Sequence, residues 1–543
     1  MRENAADIVI IGGSTGGCAA ALAACRNGKT VVMSEETQWI GGQLTSQTVP
    51  PDEHRFIEWF GSSESYRELR RRVRAYYLDN FPVSTKARAA RWFNPGNHEC
   101  SSLACEPRAA LAALTEMLAP YVHGGRLVVH QGYRPVSAET DGDTVRSVHV
   151  RNQLTGDSIA LTAQYFLDGT ELGDLLPLAG IEHVVGAEPQ EETAEPHAYP
   201  GGNERCQMAI TWCFAMDYLE GENHTIDRPE KYEFFRDSVP PHWPNPQLSF
   251  VALDYDTMGP WQHTFLPVVH GGPLWESLWL HRRMIDKENF VANTYASDVV
   301  HVNWTQNDYF WGPILGVSDE ERARHLDGAR QLSLSFLYWM QTEAPRVDGG
   351  HGFRGLRIRP DVVGTTDGLA MHPYIREARR IRAQRTMLEQ HISAETRPNG
   401  AERYDDAIAI GYYFLDMHQR TEAAPPFLTQ VWPYQIPLGS LIPQRARNML
   451  PACKNLGVSH VVNSATRLHP VEWVIGEAAG TLAAFCVEHR VEPHAVRATE
   501  SKLRELQSLL VHQGVEIEWP RLGPVRTWDQ HLTYSVDLER AGG

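Results

Sequence analysis

Four glycines, at positions 12, 13, 16 and 17, stand in the stretch DIVIIGGSTGG that begins at Asp7, and an acid, Glu35, follows eighteen residues after the last of them. A backbone comes against a pyrophosphate only where side chains are absent, and the first turn of a helix then offers N–H groups and a positive dipole end to the phosphate charge. An acid at the end of the next strand accepts both ribose hydroxyls of an adenosine and disfavours a phosphorylated ribose. In the usual glycine register of such a fingerprint the second glycine falls where this chain has Ser14, followed by Thr15. The chemistry indicated is dinucleotide binding through an altered fingerprint; the alternative is a Gly/Ala-rich turn of an ordinary α/β protein. Gly41, Gly42 and Gln43 come just after the acid. A flavin ring running past the second strand needs open backbone there, which a nicotinamide domain does not.

These residues need a strand, a turn and a helix to hold them. Apolar Ile8 to Ile11 predict a buried strand, alanine-rich Cys18 to Cys25 a helix closed by Gly28, and Thr30 to Met33 a second strand. A helix over Glu106 to Leu118 follows, then strands in LVVHQG, TVRSVHV and SIALTAQYFLDGT, with Asp141-Gly142-Asp143 as a hairpin turn. The turn Asp168-Gly169-Thr170 resembles the first one and is placed to close over a cofactor. Late in the chain, Met449 to Ala452 reads as a short strand, and Lys454 and Asn455 follow it. Pro470 then starts a Gly/Ala-faced helix, Val471 to Val487, whose N-terminal donors suit the carbonyl edge of a reduced flavin.

The intervening chain is less decisive. Pro50, Pro51, Asp52, Glu53 and His54 predict a loop over the ring, with His54 as a base, a substrate ligand or a mere capping group. Ser65 to Tyr77 predicts a basic helix with a solvated face, and 85–102 an irregular connection. Cys100 and Cys105 read as buried thiols, with pairing or a covalent flavin bond as alternatives. From about 190 to 430 tryptophan, tyrosine, histidine and proline become dense, which suits a ligand pocket or an ordinary aromatic core. His263, His270, His281 and His301 lack metal-ligand spacing, so no metal is expected. Helices are expected over Asp319 to Thr342 and Pro373 to Ile392, the second presenting Arg376, Arg379 and Arg380 close to one face.

The 543 residues allow about two to four domains. A formal net charge of −17 argues against nucleic-acid or anionic-membrane surfaces. Eight cysteines without a C-x-x-C pair fit reduced thiols, and no uninterrupted apolar run reaches about 18 residues, so a cytoplasmic protein is expected, its oligomeric state left open.

Taken together, IIGGSTGG with Glu35, WIGGQLTSQTVPPDEH, FLDGTELGDLL, VNWTQNDY, GTTDGLAMHPYIREARRI and SHVVNSATRLHPVEWVIGEAAG resemble the FAD-dependent oxidoreductase family of the glutathione-reductase-like superfold. The resemblance implies an α/β fold: a discontinuous Rossmann-like FAD-binding domain (1–60, 103–190 and 430–490) with an inserted α+β substrate domain (61–102 and 191–429) and a C-terminal tail with a helix (491–543). FAD contacts are expected at Gly12, Gly13, Ser14, Thr15, Gly16, Gly17, Glu35, Glu36, Gly41, Gly42, Gln43 and Leu44. Further contacts are expected at Gly169, Thr170, Lys454, Asn455, Ser464, Arg467 and Val471. No second glycine fingerprint appears, Cys100 and Cys105 stand outside the first cofactor helix, and the flavin signature of the aromatic hydroxylases is missing. Hydride removal from a C–H next to oxygen or nitrogen of a small organic substrate is then the simplest reaction, possible substrates being natural-product intermediates and sugar derivatives. His54, His372 or His460 would be the base and Arg376 or Arg380 a carboxylate ligand. A monooxygenase or reductase using external NAD(P)H and a non-catalytic nucleotide-binding scaffold are the alternatives.

Overall fold

A computed structural model describes residues 2–98, 100–255, 257–267 and 277–519. The expected β-α-β unit is present: β1 (Arg2–Ile11), α1 (Thr15–Arg26) and β2 (Val31–Glu35), with β1 parallel to β2 and Ile8 opposite Val31. Ile8 to Ile11 are fully buried, as strands covered on both faces must be. The sheet continues through β3 (Leu127–Gln131), β4 (Tyr133–Asp141), β5 (Thr144–Asn152) and β6 (Ser158–Asp168). Their order is β3-β2-β1-β6-β5-β4, and the strand Met449–Pro451 adds in parallel to the C-terminal end of β6. The parallel strands bring Ile11, Glu35 and Asp168 to one edge, where open α/β sheets bind ligands.

One helix, His469–His489, lies across α1 and is buried from His469 to Cys486. The two backbones nearly touch: a Cβ on Gly476 would sit 2.6 Å from the Gly16 carbonyl carbon, and one on Gly480 would sit 2.8 Å from Ala20 Cα. The Gly/Ala faces read from the sequence are thus the condition for this crossing. This core helix is also long and apolar enough to cross a membrane, but 94% of its most apolar window is buried inside the fold. Glu472 and Glu477 interrupt it, so a search for unbroken apolar runs passes over it.

A second layer is built on a four-stranded antiparallel sheet, Arg283–Ile285, Val299–Val302, Phe214–Tyr218 and Leu356–Ile358 in spatial order. The helix Asp319–Thr342 packs its Leu332, Phe336 and Met340 into the same core. Tail helices Pro493–Ala498 and Glu500–His512 close the described chain.

Two expectations are corrected. Residues 373–388 form no helix; the segment is extended, with Tyr374 N–H donating to Thr211, Ile381 to Asn455, Gln384 to Ile442 and Met387 to Gly457, and only Glu389–Ile392 makes a short turn of helix. Backbone groups satisfied by segments distant in sequence outcompete a local helix. The helix Glu64–Asn80 does exist, but its Arg70 and Arg74 are buried, paired with Glu53 and Glu58, rather than solvated.

Candidate active site

The first turn is shaped by contact. Gly12 has φ 96°, and a Cβ there would lie 2.5 Å from the amide nitrogen of Thr170, so the two sheet-edge turns, at Gly12 and at Gly169, pack backbone to backbone. Gly169 N–H donates to Ile11 (2.7 Å) and Gly12 N–H to Ser34 (2.9 Å). Ser14 caps α1: its hydroxyl accepts from Gly17 N–H at 3.1 Å. The departure from the glycine register is thereby explained as a helix cap. Gly16 N–H donates to Glu472 Oε1 (3.0 Å), tying the first turn of α1 to the core helix. Thr15 Oγ1 donates to Gly41 (2.8 Å), and Gly41 N–H to Gly13 (2.7 Å), which holds the Gly41-Gly42 loop against the turn. Gly42 has φ 50°, and a side chain there would strike the Glu171 carboxylate.

Glu35 ends β2 facing this loop. Its carboxylate accepts from Gly13 N–H (2.9 Å), Thr37 N–H (2.8 Å) and Thr37 Oγ1 (2.7 Å). Burial, reinforced by neighbouring Glu36, nonetheless pushes its pKa up to about 8. A cleft beside it is lined by Gly12, Glu36, Gly42, Thr170, Glu171 and His372.

At the inner end of the cleft Lys454 is fully buried between Glu171 and Glu472, 2.9 Å from the Oε2 of the latter. Gln43 Nε2 donates to the same Glu472 oxygen (2.6 Å) and to the Arg467 carbonyl (3.1 Å). Asn455 Nδ2 donates to Asp168 O (3.1 Å), joining Met449–Pro451 to the end of β6. Glu171, Cys453 and Glu472 present ligand atoms within 4.8 Å of one another; the Lys454 ammonium already pairs with both carboxylates. Leu44 and Val471 are buried apolar neighbours, and Ser464 Oγ donates within its own helix to Val461 (2.6 Å). Arg467 bonds Tyr374 OH and Asp416 Oδ2, each at 2.7 Å.

These residues fit an FAD. Gly12 and Gly42 line the cleft with bare backbone, their Cβ positions being closed off by the Gly169-Thr170 turn and the Glu171 carboxylate. Glu35 is an acceptor for a ribose diol. Two buried amide oxygens near Lys454, Gln43 Oε1 and Asn463 Oδ1, have no protein partner.

Of the five proposed catalytic side chains, Arg380 and His460 meet on one oxygen of Glu377, Oε1, while His54, His372 and Arg376 lie elsewhere. His54 is caged by Tyr412 and Trp519, and its Nε2 lies 3.0 Å from the Gly61 carbonyl; burial lowers its pKa to about 4. His372 lies at the Glu35 end of the cleft, 3.4 Å from Glu36. His460 bonds Glu377 (3.0 Å). Arg380 is held by Glu377 (2.6 Å), Glu188 (2.9 Å), Gly186 O (2.6 Å) and Val458 O (3.1 Å). Arg376 bonds Ala209 O, Thr211, Asn303 and Asp308. Arg380 is held through all three of its nitrogens, whereas the buried Nε of Arg376 has no protein partner. Their expected common helical face is absent. Cys100 and Cys105 are free thiols, Cys105 buried. Of the four histidines weighed as metal ligands, His270 lies outside the described residues.

A different set converges at the N-terminus of the core helix. Asp52 N–H donates to His469 Nδ1 (3.0 Å), and His469 Nε2 lies 3.2 Å from Val49 O. An amide donor at one nitrogen and a carbonyl at the other fix the neutral Nε2–H tautomer; burial lowers the His469 pKa to about 4. Asp52 pairs with Arg282 Nη1 at 2.8 Å. Burial works against ionisation of Asp52, yet Arg282 and neighbouring His469 and His98 hold it below the usual carboxylate range. His301, whose N–H donates to the Arg282 carbonyl (3.0 Å), and His98 are both buried, and none of their four ring nitrogens has a protein partner. Burial, with Arg282 beside it, keeps His301 neutral. The sequence named Asp52 only as part of a turn and His301 only as a non-ligand. Their one local signal was an acid and a histidine in otherwise apolar or proline-rich surroundings.

Comparison with known proteins bears on this geometry. A family model described as FAD dependent oxidoreductase matches residues 7–510. No curated protein matches the sequence. Among solved structures, L-proline dehydrogenase from P. horikoshii is 14% identical over 34% of this chain and 24% of its own, with TM-score 0.18. The myxobacterial chondrochloren halogenase CndH is 13% identical over 40% of this chain and 45% of its own (TM-score 0.22). OxyS anhydrotetracycline hydroxylase from Streptomyces rimosus is 14% identical over 40% and 36% (TM-score 0.23). The matched stretches span less than half of each of those three proteins. The family match covers nearly the whole of the described chain, and the protein belongs to the FAD-dependent oxidoreductase family, as an enzyme whose cofactor is FAD.

Proposed function

We propose that this oxidoreductase oxidises a small organic substrate by removing a hydride from a carbon that bears an O–H or N–H group. The observation that carries the reading is the cluster of buried polar side chains at the N-terminus of the core helix. It joins the Gln43 to Asp52 segment through His469 and contains His301, a neutral imidazole with both ring nitrogens unpartnered. When bound, FAD supplies the two-electron acceptor for the hydride. The chain's part is proton transfer and position. His301 takes the O–H or N–H proton as the C–H bond breaks and the C=O or C=N bond forms, so charge does not build on the substrate. Its backbone is held by β pairing of Val299–Val302 with Phe214–Tyr218, a rigid mount for a base. His54, caged and bonded to Gly61, and His460, bonded to Glu377, are positioning groups in this reading.

Anaerobic stopped-flow absorbance tests it. A reducing substrate should bleach the oxidised flavin in wild type, and His301→Ala should slow bleaching about 10²-fold or more with FAD still bound. Rapid bleaching by NADPH without substrate would instead favour a monooxygenase or reductase.

A further inference from the structure

We propose that His372 is a cofactor ligand and not a base: beside Glu36, its Nε2 accepts the hydroxyl of the FAD adenosine ribose for which Glu35 has no site open.

Glu35 ends β2 where an acid meets a ribose diol, and a carboxylate has about four lone-pair directions. Gly13 N–H (2.9 Å), Thr37 N–H (2.8 Å) and Thr37 Oγ1 (2.7 Å) occupy three of them. A diol brings two donors, so one is left over. A buried hydroxyl without an acceptor is costly, and the cleft has to supply a second acceptor near Glu35. Of the other acids that line the cleft, Glu171 pairs with Lys454 and Asp174 with Arg379 at 2.9 Å. Glu36 and His372 remain, both half-buried.

Their geometry suits the task. His372 Nδ1 lies 2.9 Å from the Pro373 carbonyl. A carbonyl only accepts, so Nδ1 carries the proton and Nε2 presents its lone pair. Nε2 stands 3.4 Å from Glu36 Oε1, longer than the roughly 2.7–2.9 Å of a charge-assisted hydrogen bond. Two acceptors therefore stand side by side at the Glu35 end of the cleft, and one hydroxyl donor between them serves both.

The mount of this ring lies outside the nucleotide-binding sheet. His372 N–H donates to Ser46 O (3.1 Å), and its neighbours Ala370 and Tyr374 donate to Cys213 O (2.8 Å) and Thr211 O (2.7 Å), at the strands of the second layer. Among the described residues that line the cleft, His372 alone comes from 191–429. Ribose capture thus ties the second layer to the first. The adenosine is also the end of FAD remote from its redox ring, so a histidine there does not take a substrate proton.

Equilibrium binding to the apoprotein, read by flavin fluorescence, tests the assignment with three probes: FAD, an FAD analogue whose adenosine ribose lacks the 2′- and 3′-hydroxyls, and FMN, which lacks the adenosine. Wild type should bind FAD at least tenfold tighter than the analogue. His372→Ala should weaken FAD binding about 3- to 10-fold, the worth of one hydrogen bond, and leave the analogue and FMN within about 1.5-fold of wild type. His372→Gln, whose amide oxygen can stand in for Nε2 as an acceptor, should restore most of the loss. Should His372→Ala fail to fold, Glu36→Ala is expected to show the same selective weakening. If all three probes are weakened alike, His372 is structural and the proposal falls. It falls equally if wild type does not distinguish FAD from the analogue, or if FAD binding is unchanged in both alanine variants.

Discussion

The crossing of α1 and the core helix predicts a strong effect from one methyl group. In Gly476→Ala the new Cβ would lie 2.6 Å from the Gly16 carbonyl carbon and 2.7 Å from Gly16 Cα. Carbon atoms pack at about 3.5–4.0 Å, so the helices have to part by about 1 Å. The Gly16 N–H to Glu472 bond, now 3.0 Å, then stretches beyond hydrogen-bond length. Overpacking costs about 1–3 kcal/mol and loss of a hydrogen bond to a charged group about 1.5–3 kcal/mol. Alanine's better helix propensity offsets about 1 kcal/mol. The net is a loss of about 1.5–5 kcal/mol, or roughly 10- to 5,000-fold in the folding equilibrium. Thermal unfolding followed by circular dichroism should show the melting temperature of the apoprotein lowered by several degrees. A fluorescence titration should show FAD bound at least tenfold more weakly, because Gly16 lies in the first turn of α1. A variant that melts within 1 °C of wild type and binds FAD equally well would refute the reasoning.

Glu35→Ala should weaken FAD binding about 10- to 100-fold, the cost of leaving buried hydroxyl partners unsatisfied, when measured by quenching of flavin fluorescence. Arg380→Met, which strands buried Glu377 and half-buried Glu188, should cost about 3–5 kcal/mol in urea unfolding; an effect on KM at unchanged stability would mark Arg380 as a substrate ligand after all. Glu35 also predicts a pH effect. Its folded pKa of about 8 lies above the ordinary value of 4.5, so the folded state holds more protons than the unfolded one in between. Apoprotein stability attributable to Glu35 should therefore fall as pH rises from 6.5 to 8, and the fall should be smaller in Glu35→Gln, as urea midpoints will report. His469 acts in the opposite sense: its folded pKa of about 4 lies below 6.5, so its share of stability is present above pH 6.5 and lost as pH falls toward 4.

The parts of the fold that were legible in sequence are those whose partners are close along the chain. Ile8 to Ile11, the glycines after them and Glu35 follow one another, so period and turn chemistry identify them. The core helix was legible because its small residues mark a close crossing, although its partner α1 was not specified by them. Residues 373–388 misled because arginines three and four apart imitate a helix face. In the structure their side chains reach carbonyls and carboxylates from five other segments, a tertiary demand with no local trace. The buried polar cluster shares that difficulty: Asp52, Arg282 and His469 come from separate elements, and a histidine's missing partners are visible only once everything around it is in place. Ser14 lies between the two cases. The sequence flagged it as a departure, and the N-cap it makes to Gly17 is a local interaction that S-x-x-G spacing allows.

The bond from Gly16 to Glu472 spans 456 residues. On a ribosome adding about 5–20 residues per second, the first turn of α1 waits on the order of 20–90 s for the helix that completes it. Throughout that interval β1 and β2 exist without the strand Met449–Pro451 and without the cover of the core helix, and the cleft proposed for FAD lacks Lys454 and Glu472. Cofactor capture is therefore an event of the finished chain, and the segment between, aromatic core included, has to be built before the first forty residues can do their work.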